Sequence, residues 1–168
     1  MPYRQQNIRA NLEWRALLLA AVRSFFSSAG YLEVETPVRI PAPALEAHID
    51  PVASESWYLQ TSPELAMKRL LSAGFPHIYQ ICRCFRQGER GRRHLPEFTL
   101  LEWYTAQEDY RHMMNQTEAL VRDVVVRLTG RSQIVYQDRT IDLALPFERL
   151  SVEEAFARWA ECLPADAL

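Results

Sequence analysis

Two alternating runs, HIYQICRCFR at 77–86 and EFTLLEWY at 97–104, constrain the fold of this chain more than anything else in it. Both are rich in β-branched and aromatic residues and repeat with a period of two, as strands with one buried face do. Ten residues separate them, so they are expected to pair as an antiparallel hairpin with a long loop. The hairpin's end is strongly basic: Arg86, Arg90, Arg92, Arg93 and His94 fall within nine residues. The formal net charge of the chain is only -2, so this cluster is a local site rather than part of a basic surface for nucleic acid.

The flanking segments carry their own start and stop signals. A helix is expected from about Ile8 to Ala29, with Leu12, Leu18, Leu19, Val22, Phe25 and Phe26 near a 3.6-residue period and Gly30 as its stop. YLEVET then alternates as a strand that Pro37 ends, and WYLQT reads as a second, short one. Between them, Val38 to Ser56 holds Pro41, Pro43 and Pro51 among small and polar residues and is expected to be irregular. Ser62 as cap, Pro63 at the first helical position and Gly74 as stop frame a second helix. A third runs from Asp109 to Thr129, turning Met113, Leu120, Val121, Val124, Val125 and Leu128 inward. IVYQDRTIDLA reads as a small hairpin, and SVEE at 151–154 as a capping box opening a last helix through Trp159.

Helices interspersed with antiparallel strands, with no internal repeat, indicate an α+β fold: an antiparallel sheet flanked by helices. At 168 residues and 48% apolar content the chain is read as one globular domain, 1–168. No apolar run approaches the ~20 residues that cross a bilayer, and the N-terminus lacks the apolar core of a signal peptide. A cytoplasmic protein with no membrane partner is expected. Cys82 and Cys84 share one strand face at a spacing poor for a zinc knuckle, so they and Cys162 are expected to be buried free thiols.

Strand parity places Phe98, Leu100, Glu102 and Tyr104 on one face, and Arg86 shares its face with Gln80, Cys82 and Cys84. If pairing joins these two faces, a guanidinium stands near a carboxylate, a costly display unless a ligand or internal pairing satisfies it. An arginine fork suits phosphate and an exposed ring suits a purine, so phosphate plus adenine is one sensible occupant. The residues alone equally allow solvated loop arginines and a structural cross-strand pair.

FRQGERGRRHLPEFTLLEWY, with the helix into YLEVETP and the segment TSPELAMKRLLSAGF, resembles the class II aminoacyl-tRNA synthetases in their lysine-type branch. The first stretch is similar to motif 2 (about 77–104) and the helix and strand to motif 1 (about 8–37). Within that branch the ERGRRH loop and LLEWY ending most resemble the elongation factor P lysine ligases. The resemblance implies a partial class II catalytic domain that activates lysine or β-lysine with ATP as an adenylate and transfers it to a lysine of elongation factor P. By the same resemblance, Arg86 is the catalytic residue that holds the α-phosphate. Glu89, Arg93 and His94 lie with the outer phosphates, Phe98 stacks on adenine, and Glu64, Glu102 and Tyr104 meet the amino-acid substrate. A homodimer is implied, because motif 1 lies at the dimer interface of the family, and tRNA is the less expected partner.

The chain also departs from the family pattern. Gly88 stands where a glutamate is usual, with Glu89 one place later, and Leu95 replaces an asparagine. The five glycines include no glycine-rich motif 3, and the carboxylates that hold magnesium in the family have no recognisable match. The expectation is that this chain alone does not form adenylate. Two alternatives stay open: a piece of a lysyl-tRNA synthetase catalytic domain, and a non-catalytic binding module with the same fold.

Overall fold

The computed structural model describes residues 8–160. The chain divides into two compact units, Met1–Met114 and Asn115–Leu168, and each is described by itself.

The first unit opens with helix α1 (Arg9–Ser28). Its end is set by Gly30, at φ +75, which lets the amides of Gly30 and Tyr31 reach back to the carbonyls of Ser27 and Phe26 at 3.1 and 2.9 Å. Strand β1 (Leu32–Glu33) follows, then β2 (Arg39–Ile40), β3 (Ala53–Ser54) and β4 (Trp57–Leu59). Helix α2 (Glu64–Ser72) leads into the two long strands, β5 (His77–Phe85) and β6 (Glu97–Thr105). As expected, β5 and β6 pair antiparallel, from Phe85↔Glu97 at the loop end to His77↔Thr105 at the other.

The α+β architecture is as expected; β1 adds a short parallel edge to β5, Leu32 opposite Ile78, in a main sheet ordered β1-β5-β6. Two other expectations are corrected. The connection Val38 to Ser56 is not wholly irregular, because β2 and β3 pair antiparallel on either side of β4. The apolar face of α1 is buried only toward its C-terminal half: Ala21, Val22 and Phe26 are inside, whereas Leu12 and Leu18 are 55% and 40% exposed. Phe26 explains the difference. It stacks on Tyr79 at 4.6 Å and meets Trp103 at 5.5 Å, whereas further back the helix meets the sheet through a polar link, Arg15 Nη2 to Thr99 Oγ1 at 2.7 Å.

The Tyr79 hydroxyl donates to Glu33 Oε2 at 2.9 Å. Burial, then that bond and the Glu33 charge, push the phenol up to about 12. The folded chain thus holds this proton more tightly than the unfolded chain, whose tyrosine titrates near the ordinary value of 10.0. Its contribution to stability is intact below pH 10 and is lost as the pH rises toward 12. Denaturant unfolding across that range should show the decline, and Tyr79→Phe should flatten it; an unchanged slope in the variant would contradict the assignment.

Helix α3 (Tyr110–Thr129) contains the boundary between the units. In the second unit its Leu120 and Val124 are buried with Leu143, whereas Val121, expected inside, is 36% exposed. The inward stripe is therefore narrower than the periodicity suggested. Strands β7 (Gln133–Tyr136) and β8 (Arg139–Asp142) form the expected small hairpin. Its turn residues Gln137 and Asp138 both have positive φ, 49 and 59, as a two-residue turn matched to strand twist requires. Helix α4 (Val152–Trp159) starts at a complete capping box between Ser151 and Glu154. Cys162 lies outside the described residues.

Candidate functional site

The register decides what the hairpin displays. Ile78 opposes Tyr104, Gln80 opposes Glu102, Cys82 opposes Leu100 and Cys84 opposes Phe98, and cross-strand partners share a face. The opposite face, carrying Tyr79 and Trp103, lies against Phe26 of α1. The chemistry-bearing residues therefore stand on the side that α1 leaves uncovered.

At one end is a held carboxylate. Glu102 accepts from the Ser62 hydroxyl on one oxygen at 2.6 Å and from the Tyr104 hydroxyl on the other at 2.5 Å. Ser62 also accepts from the Glu64 amide at 3.2 Å, at the start of α2, so the positive end of that helix lies beside the carboxylate. Each Glu102 oxygen keeps a lone pair for a further donor. Burial, then the Glu102 hydrogen bond and the charges of Glu102 and Glu64, push the Tyr104 phenol far above its ordinary range. Tyr104 is thus a donor at neutral pH. Glu64 is bonded to Lys68, one turn along α2, with no hydrogen bond to Glu102 among the described residues.

At the other end is a guanidinium on a ring. The Arg86 Cζ lies 5.0 Å from the centroid of Phe98, a cation–π distance. Arg86 Nη1 is 3.9 Å from Glu89 Oε1. Arg86, Glu89, Arg93, His94, Leu95 and Phe98 line one cavity of about 170 Å³. That is below the ~300–1,000 Å³ of pockets that enclose a drug-sized ligand, so the cavity holds part of a ligand rather than all of one. The conditional expectation that Arg86 stands beside Glu102 is not met: Arg86 has its amide on Pro96 and its carboxylate neighbour is Glu89, while Gln80 takes the place opposite Glu102. The glycine that departs from the family pattern also finds a reason. Gly88 has φ +74, a left-handed turn that costs a side-chain-bearing residue roughly 1–2 kcal/mol, and the turn delivers Glu89 into the Arg86 cavity.

Sequence reasoning missed the polar floor between these ends. Gln60, Thr61 and Gln80 are each about 1% exposed. Gln60 ties β4 to β5 through its amide to the Arg83 carbonyl at 2.9 Å, and Thr36 donates to Gln80 Oε1 at 3.0 Å. Gln80 Nε2 and Thr61 Oγ1 are buried without a hydrogen-bond partner, a cost of about 1–3 kcal/mol each unless something fills the place. A second small cavity, about 110 Å³, is bounded by Ile40, Pro41, Ala42 and Ala44 together with Ser62 and Arg69. The signal for it was the run of small residues and prolines after β2, read only as a connection. Among the described residues no group of three or more His, Cys, Asp or Glu side chains could hold a metal ion, so magnesium, expected by resemblance, has no ligand set there.

The sequence that builds this face has relatives among known proteins. Residues 1–164 match the family of class II tRNA synthetases (D, K and N), and the chain belongs to that family. Within it, the chain is 39% identical over 158 residues to the lysine–tRNA ligase of Bordetella bronchiseptica and 40% identical over 157 residues to that of Thiobacillus denitrificans. The lysine–tRNA ligase of Burkholderia mallei matches equally, at 40% over 157 residues. These alignments cover 90–91% of this chain and 31% of each relative; the chain spans under a third of the length of the relatives it matches.

The ring makes a prediction of its own. Base–aromatic stacking is worth about 1–3 kcal/mol per base, and Phe98→Ala also removes the surface on which Arg86 rests. On the expectation from the family resemblance that Phe98 faces adenine, ATP affinity, read by calorimetry, should fall about tenfold or more in the variant. Unchanged affinity would contradict that expectation.

Proposed function

We propose that residues 1–168 are one partial class II catalytic domain carrying the wall of a site for ATP and lysine or β-lysine. The observation that carries this reading is the joint placement, on one sheet face, of Arg86 over Phe98 and of Glu102 between Ser62 and Tyr104. A carboxylate suits the substrate's ammonium groups, and planar guanidinium suits phosphate. In the proposed reaction the amino acid's carboxylate oxygen attacks the α-phosphorus, pyrophosphate leaves, and an amine of the acceptor then takes the acyl group. Arg86 stabilises the charge that develops on the phosphoryl oxygens. Glu89, Arg93 and His94 attend the outer phosphates, Phe98 the adenine, and Glu64, Glu102 and Tyr104 the amino acid. Magnesium would lend further charge neutralisation when present.

The acceptor we propose is a lysine of elongation factor P. The relatives, named lysine–tRNA ligases, support a second reading, in which the acceptor is tRNA and the chain is part of a lysine–tRNA ligase. The net charge of -2 favours the protein acceptor, since sequence-independent tRNA binding draws on many cationic contacts and falls steeply with salt. A homodimer is part of the proposal, supported by Leu12, Trp14, Leu17 and Leu18 left 40–56% exposed on α1. So is a cytoplasmic setting; no helix among the described residues is long and apolar enough to cross a membrane. Fluorescence anisotropy of the chain against elongation factor P and against lysine tRNA, at low and physiological salt, separates the acceptors. Salt-tolerant binding of the factor is expected, and tRNA binding alone would select the second reading.

A further inference from the structure

The face that holds Glu102 and Phe98 also holds two thiols with no part in the reading above. Cys82 and Cys84 point to the same side of β5 with their sulfurs 3.8 Å apart, opposite Leu100 and Phe98. Cys84 is fully buried and Cys82 half-buried, and both are free. A buried cysteine is ordinarily a small apolar filler. Here the sulfurs touch, and Cys82 lies among the polar groups of Gln60, Gln80 and Glu102. The two thiols are unequal. The hydrogen bond from Cys84 holds the Cys82 thiol below its ordinary range, while the same bond and then burial push Cys84 well above it. The Glu102 charge opposes ionisation of both.

We infer that Cys82 and Cys84 form a peroxide-reactive dithiol whose oxidation disables the nucleotide wall. The Cys82 thiolate attacks hydrogen peroxide; an S–O bond forms, the O–O bond breaks, and the departing hydroxide is protonated to water. The resulting sulfenic acid meets the adjacent Cys84 sulfur, an S–S bond forms, the S–O bond breaks, and a second water leaves. Two thiols are oxidised and one peroxide is reduced. Residues two apart on a strand are about 6.6 Å apart at Cα, since each rises about 3.3 Å, which is near the upper limit for a disulfide. Closing the bridge therefore tightens the pleat of β5 two residues before Arg86 and directly opposite Phe98. The guanidinium–ring pair loses its geometry, and the strain keeps the bridge open to reduction by thiols. The effect on nucleotide binding rests on the proposed ATP reading of that wall.

The test is to treat the full chain carrying Cys162→Ser with hydrogen peroxide, digest after glutamate, and weigh the peptide 65–89, which contains both thiols. Loss of two hydrogens, reversed by dithiothreitol, is expected. Cys84→Ser should instead leave a sulfenic acid on Cys82 that dimedone traps, and Cys82→Ser should abolish the bridge. ATP affinity of the oxidised chain should be about tenfold weaker or more and should recover on reduction. A peptide that stays reduced would overturn the dithiol, and a bridge that leaves ATP affinity unchanged would overturn the coupling. Absence of ATP binding in the reduced chain would overturn both the nucleotide reading and the coupling, while the peptide mass still decides the dithiol. Should the serine variants fail to fold, the peptide mass with Cys82 and Cys84 both intact decides by itself.

Discussion

Arg86→Ala should weaken ATP binding by about 10- to 150-fold, the loss of a charge-assisted phosphate contact of about 1.5–3 kcal/mol. Arg86→Lys keeps the charge but not the planar fork or the stack on Phe98, and should recover only part of the loss. Calorimetric titration of ATP into the folded variants measures both effects. The lysine variant falling midway between the other two is the informative result. If it bound as well as the parent chain, charge alone would suffice and the 5.0 Å geometry over Phe98 would have no role in recognition.

Glu102→Gln is expected to cost a comparable amount, in lysine rather than ATP affinity. The substitution keeps the shape but removes the charge, and it turns an amide donor toward the Ser62 or Tyr104 hydroxyl, each of which now donates to the carboxylate. Removing one partner of a buried, hydrogen-bonded charge pair costs about 2–5 kcal/mol, so lysine affinity should drop by about 100-fold. Tyr104→Phe should cost much less, since Glu102 keeps its charge and its Ser62 bond. Equal losses in the two variants would mean that Glu102 acts by holding Tyr104 rather than by meeting the substrate. Because the two ends of the face are separate, Glu102→Gln should leave ATP affinity almost unchanged when lysine is absent.

How much of this was legible in the sequence depended on how local the cause was. Gly30, Gly74 and the Ser151–Glu154 box act within a few residues, and the helix ends they set lie where the pattern put them; α2 instead starts one residue later than expected, with Pro63 rather than Ser62 at the cap position and no side-chain cap. Parity along β6 likewise grouped Phe98, Glu102 and Tyr104 correctly. Register was a different matter. It decides that Gln80, not Arg86, opposes Glu102, and a loop of ten residues leaves that choice to packing on the far face, where Phe26 meets Tyr79 and Trp103. The strands β1, β2 and β3 are two residues each, too short to carry a period, and exist because longer neighbours offer them an edge. The Thr36–Gln80 bond joins residues 44 apart, which no local pattern reveals. Of the residues singled out by resemblance, Arg86, Glu89, Arg93, His94 and Phe98 line one cavity, while Glu64 was legible only as a helix-start carboxylate and is held by Lys68.

The central claim is that one sheet face receives the adenine and phosphate at Arg86 and Phe98 and the lysine ammonium at Glu102. A crystal structure of the chain with a non-hydrolysable lysyl-adenylate analogue tests it most directly. The expected result has the adenine ring against Phe98, the phosphate mimic on the Arg86 fork, and an ammonium group on the Glu102 carboxylate beside Tyr104. An analogue bound away from this face, or bound to it with the adenine remote from Phe98, would contradict the claim.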